Sequence, residues 1–194
     1  MKVFIGLNNV ASVFSDLKNG FEDLGVDTFI VSRYLSSSVI IHDFSDFNIA
    51  KAKTKFPTFR PGFINYRLKK LWPKLVDAYI LRKAVRECDV FVFISSSFQD
   101  DFLDLSYLKK KGKKVVSVFV GDDARWFFGM EQEFKKFGLD PIEYDLDELK
   151  TPAALTERLT RIRNSERYSD FIFSRLDQAQ IQLRPYYRWN MMVN

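Results

Sequence analysis

Gly121-Asp122-Asp123-Ala124-Arg125-Trp126 puts two carboxylates and a guanidinium within four residues, directly after an apolar run of strand length. The glycine allows close backbone approach. Such a group suits two tasks: holding sugar hydroxyls, or orienting a general base. Asp122 or Asp123 would then polarise a hydroxyl and Arg125 would hold a phosphate or carboxylate; the structural alternative is a helix cap with a surface Asp–Arg pair. A second polar cluster, Asn8, Asn9 and Ser12, follows the first apolar run and leads into a helical pattern. Free N–H groups at a helix start favour an anion or sugar hydroxyls, although the same residues serve equally as caps. Ser96 lies in a third such exit, Ser95-Ser96-Ser97. His42 is the one side chain that titrates near neutrality, and it reads either as a base or substrate contact or as a structural residue.

The segment 51–74 carries Lys51, Lys53, Lys55, Arg60, Arg67, Lys69, Lys70 and Lys74 without any acid, interleaved with Phe56, Phe59, Phe63, Tyr66 and Trp72. These eight positive charges exceed the net charge of +5 for the whole chain. Basic residues among aromatics suit an anionic bilayer, each cation contributing about 1 kcal/mol near lipid. Arg67, Lys69, Lys70, Trp72 and Lys74 are the residues expected to meet such a surface or an anionic acceptor. Stacking on single-stranded nucleic acid and a merely solvated rim are the alternatives, with nucleic acid the least favoured. The acidic run Asp140, Glu143, Asp145, Asp147 and Glu148 lacks the order of a calcium loop and reads as a solvated loop.

The elements that must position these groups follow from periodicity. Short apolar runs at Lys2–Gly6, Asp27–Ser32, Asp89–Ser95, Lys114–Gly121 and Asp170–Ser174 alternate with longer amphipathic segments, the pattern of a parallel sheet covered by helices. Val10, Val13, Phe14, Leu17, Phe21 and Leu24 form one helix stripe ending at Gly25. Further helices are expected over Tyr66–Arg86, with Pro73 as a kink or a later start, and over Phe98–Lys111. Thr151-Pro152 supplies an N-cap and first turn for a helix to Tyr168. Between Ser36 and Phe63 an excursion with one small strand near Val39–His42 is expected. From Gly121 to Leu149, Gly129, Gly138 and Pro141 interrupt any long helix. The fold class is therefore α/β: a Rossmann-like, open, mainly parallel sheet with helices on both faces, in one domain spanning 1–194.

Composition narrows the functional classes. A single cysteine, Cys88, excludes an intrachain disulfide and a cysteine zinc site, and with one histidine a metalloenzyme is not expected. The chain contains neither G-x-G-x-x-G nor G-x-x-x-x-G-K-[ST], which disfavours a dinucleotide enzyme or a P-loop kinase. No apolar run reaches the length of a bilayer span. A cytoplasmic protein is expected, peripheral at the inner face of the membrane if the basic segment docks there.

The Gly-Asp-Asp-x-Arg turn, the helix after it, and the strand within Arg167-Tyr168-Ser169-Asp170-Phe171-Ile172-Phe173-Ser174 together resemble the N-terminal domain of GT-B glycosyltransferases of the group 1 type. Phe21-Glu22-Asp23-Leu24-Gly25-Val26-Asp27-Thr28 is similar to that family's helix-to-strand passage. Two departures stand out: the glycine-rich first loop is Leu7-Asn8-Asn9-Val10 here, and the usual Gly-His is Gly25-Val26. The resemblance implies an acceptor-binding half that takes a glycan or lipid-linked acceptor. It implies no cofactor of its own, since the nucleotide-sugar donor would be bound mainly by a second domain or a partner subunit. A non-catalytic membrane-docking subunit and a stand-alone sugar- or nucleotide-binding module are the alternative readings.

Overall fold

A computed structural model of the chain describes residues 1–10, 13–34, 45–55, 63–121, 123–139, 147–176 and 179–189, with backbone alone for 63–69. The elements run β1 (Lys2–Leu7), α1 (Val13–Asp23), β2 (Asp27–Ser32), β3 (Phe47–Asn48), α2 (Ile49–Thr54), α3 (Phe63–Glu87), β4 (Val90–Ile94), α4 (Asp104–Lys110), β5 (Lys114–Phe119), α5 (Phe127–Lys136), α6 (Pro152–Tyr168), β6 (Phe171–Ser174) and β7 (Tyr187–Arg188). One seven-stranded sheet has the order β3-β2-β1-β4-β5-β6-β7, and every pairing is parallel. The protein is a Rossmann-like α/β fold, and its strand order reverses between β1 and β4.

Side chains alternate across β1, so its two faces feed two cores. Phe4 joins the core beneath α3, α4 and α6, where Val76, Ile80, Ala84, Leu105, Leu108 and Ile162 are buried. Val3 and Ile5 join the other, against Val13 and Phe14 of α1. In register, Phe4 faces Phe29 on β2 and Phe91 on β4. Its ring also lies 5.6 Å from Phe93 and 5.7 Å from Phe98. Phe4, Phe29, Phe91, Phe93 and Phe98 thus form an aromatic layer that crosses three strands. Phe98 carries this layer out of the sheet into the β4–α4 loop.

All five expected strands are present, Asp27–Ser32 with the expected ends and the others within two residues, and Thr151 caps α6 as expected, its hydroxyl accepting the Ala154 N–H at 3.1 Å. Three expectations are corrected. The helix expected from Phe98 begins only at Asp104, because Phe98–Leu103 is drawn into turns by bonds to the Asp104 carboxylate and by Phe102 at φ 63°. Gly129 lies inside α5 instead of interrupting it. A Cβ there would sit 2.3 Å from the Trp126 ring, so glycine is needed for that ring to pack. Finally, the helix expected over Tyr66–Arg86 runs from Phe63 to Glu87, starting three residues earlier, and of the two alternatives at Pro73 the later start is excluded. The expected strand near Val39–His42 lies outside the described residues; β3, α2 and β7 were not anticipated.

Candidate functional site

In an open parallel sheet the carboxyl ends of the strands at the switch point form a crevice. Here the pairing of Leu7 with Ile94, and of Ile94 with Val118, brings the exits of β1, β4 and β5 side by side. These are the exits that carry Asn8-Asn9, Ser95-Ser96-Ser97 and the Gly121–Arg125 turn.

Each predicted residue has a definite place or lies outside the description. Asn8 and Asn9 are half-buried, and Asn9 Oδ1 accepts the Phe14 N–H at 3.2 Å, tying the loop to the first turn of α1. Ser96 is half-buried, its hydroxyl 3.4 Å from the Ile94 carbonyl. The Asp123 carboxylate accepts the Val120 N–H at 3.1 Å and the Ser95 hydroxyl, so it clamps the β5 exit to the β4 exit. Ser95 itself has φ 57°, a left-handed backbone uncommon outside glycine, and its hydroxyl lies on Asp123 and the Val120 carbonyl. Arg125 is half-buried with Nη1 at 3.4 Å from Met130 Sδ, and its carbonyl accepts from Arg158. Ser12, His42 and Asp122 lie outside the described residues. Lys70 and Lys74 are exposed on α3. Trp72 is half-buried, donating its indole N–H to the Ala52 carbonyl at 3.2 Å. Arg67 and Lys69 belong to α3 by backbone only.

The structure adds residues that sequence patterns did not single out. Asp104, 3% exposed, accepts the Ser97 hydroxyl at 2.6 Å and the Phe98 N–H at 2.9 Å. Burial pushes its carboxyl above the usual aspartate range, while these donors pull it part of the way back. Arg33, at the β2 exit, reaches across the end of β1 and donates from Nη2 to the Phe98 carbonyl at 3.0 Å. Its Nη1 lies 3.8 Å from Asp100. From the opposite side, Asn164 of α6 donates to the Asp101 carbonyl at 2.7 Å. The β4–α4 loop is therefore held from within by a carboxylate and from two flanks by side chains.

This pinned loop forms one wall of a cavity of about 780 Å³, a volume within the range of small-molecule sites. Phe98, Gln99, Asp100 and Asp101 line the loop side; Lys74, Asp77, Ala78 and Leu81 of α3 line the other. Asp77 Oδ2 pairs with Lys53 at 2.9 Å. Its Oδ1 and Arg33 Nε are buried with no hydrogen-bond partner among the described residues. Arg33 is the one charge in Ser32-Arg33-Tyr34 at its strand exit, the signal by which sequence could find it. Asp104 gave no local signal, because an aspartate in a helix start is commonplace and its burial is set by the loop folding over it.

No group of three or more potential metal ligands occurs among the described residues. Three carboxylates, one amide, one lysine and an aromatic ring lining this cavity can hydrogen-bond a polyhydroxylated ligand and pack against its apolar face. What fold and site define together is a Rossmann-like fold with a polar cavity between α3 and the β4–α4 loop. No family model matches the sequence, and no curated protein is significantly similar to it.

Proposed function

We propose that this chain is the acceptor-binding half of a glycosyltransferase that moves a sugar from a nucleotide-sugar to a glycan or lipid-linked acceptor, with the donor held by another domain or subunit. The observation that carries the reading is the all-parallel sheet of order β3-β2-β1-β4-β5-β6-β7, whose switch point brings the exits carrying Asn8-Asn9, Ser95–Ser97 and Asp123 side by side. The adjoining cavity supports it, since Phe98, Gln99 and the carboxylates of Asp77, Asp100 and Asp101 offer an apolar platform with acceptors for sugar hydroxyls.

In the transfer, the acceptor oxygen bonds to the anomeric carbon, the bond from that carbon to phosphate oxygen breaks, and a nucleoside diphosphate leaves with the electron pair. The acceptor proton passes to a carboxylate. Asp122 or Asp123 would take it in this reading, and Arg125 would hold an anionic acceptor group.

Saturation-transfer NMR on the full chain with an oligosaccharide panel and with nucleotide-sugars tests this. Glycan signals without donor signals are expected, weakened about tenfold or more by Asp122→Asn or Arg125→Ala if each removes a charged hydrogen bond. Nucleotide-sugar binding with no glycan binding would instead favour a stand-alone nucleotide-binding module. The alternative of a docking subunit draws on a separate feature of α3.

A further inference from the structure

A helix packed on a sheet normally buries one apolar face and shows water a polar one. α3 departs from this. Its inward face is Val76, Ile80 and Ala84, all buried, yet the outward face carries Leu71, Leu75 and Tyr79 at i, i+4 and i+8, which are 50%, 51% and 58% exposed. Residues so spaced lie in one row. Beside the row, Phe47, Ala52, Trp72 and Val76 complete an apolar groove of about 360 Å³ between α2 and α3. Exposed cations surround it: Lys70 and Lys74 on one flank, Lys51 on α2 and Lys55 just after it, and Arg82 and Arg86 further along α3. Asp77, the acid within this stretch of α3, is paired with Lys53.

We infer that the outward face of α3, with the groove it shares with α2, docks on an anionic lipid bilayer. Leucines and an aromatic ring would enter the boundary between headgroups and acyl chains, while the surrounding cations meet lipid phosphates. Charge complementarity selects this occupant: a second copy of the chain would set these cations against themselves, and a neutral bilayer would leave them unmatched. Among the described residues no helix is long and apolar enough to cross a membrane. The arrangement is that of a helix lying in the interface plane, where binding combines buried apolar area with attraction to anionic headgroups. Docking does not depend on sugar transfer, and its test uses no sugar.

Flotation of the full chain with vesicles of phosphatidylcholine alone, and of phosphatidylcholine with phosphatidylglycerol, decides the matter. The chain is expected to float with the anionic vesicles only. Lys70→Gln and Lys74→Gln should each lower partitioning about fivefold. A Leu71→Ser, Leu75→Ser, Tyr79→Ser triple variant should stay in solution while its thermal melt matches that of the wild type, because the three side chains are exposed. The inference is overturned if the wild type floats with neither vesicle or if the triple variant floats as the wild type does. It is equally overturned if the row mediates self-association, or capture of a single-stranded oligonucleotide, with no vesicle binding.

Discussion

Asp170 sits where α6 gives way to β6, and three donors converge on it: the Val115 N–H at 2.8 Å, Lys109 at 2.6 Å and Lys114 at 3.4 Å. Burial alone would raise its carboxyl, but the Lys109 bond and the others outweigh that and hold it below the usual aspartate range. A depressed folded value means stability that is complete above the unfolded value of about 3.9 and lost as the pH falls through the folded one. Asp170→Asn is therefore expected to cost about 2 kcal/mol near neutrality. The gap to wild type should close as urea titrations are stepped below about pH 4. Asp104 has the opposite sign, since its raised carboxyl takes up a proton more readily in the folded protein and relieves its own burial as the medium acidifies. Cys88, fully buried beneath α3, has its thiol pushed up to about 11 by burial. Iodoacetamide at neutral pH should leave the native chain unmodified and alkylate it once urea unfolds it; rapid labelling of the folded protein would contradict the placement of Cys88.

Among the elements, α3 offers the sharpest comparison because its two apolar faces differ only in what covers them. Ile80→Ala, which empties a site with no exposure, is expected to cost about 3 kcal/mol. Leu75→Ser, half-exposed on the opposite face, should change stability by less than about 0.5 kcal/mol. Paired denaturant melts check both values, and a large loss at Leu75 would mean that the outward row is structural. The elements that were legible in sequence are those with enough residues to show a period: β1, β2, β4 and β5 as continuous apolar runs, α1 by its stripe, and α6 by Thr151-Pro152. β3 and β7, two residues each, are too short to carry a pattern, and α2 is a six-residue helix formed where Asn48 caps the Lys51 N–H at 2.9 Å. The site divides in the same way. Asn9, Ser96, Asp123 and Arg125 were visible because strand exits are local features. The Arg33–Phe98 bond spans 65 residues of chain and exists only once β1 and β4 are neighbours.

For the molecule as a whole, the sheet is strongest at its centre and thinnest at its margins. β1, flanked on both sides by six- and five-residue ladders, is buried throughout its core positions, whereas β3 and β7 contribute two pairings each. Short edge strands limit pairing with other chains, and they also open first. Hydrogen exchange should therefore be slowest for the amides of β1, β4 and β5 and fastest for β3 and β7; equal protection across the sheet would show that the margins are held by something further. Three tryptophans punctuate this layout at separate stations: Trp72 on the α2–α3 groove, Trp126 against Gly129 beside the β5 exit, and Trp189 edge-on to Phe173 at the β7 margin. The chain thus carries an emission reporter at each region where an event is expected. Variants that keep one indole at a time would let lipid contact, crevice occupancy and edge opening be followed as three separate optical signals, without attaching a dye.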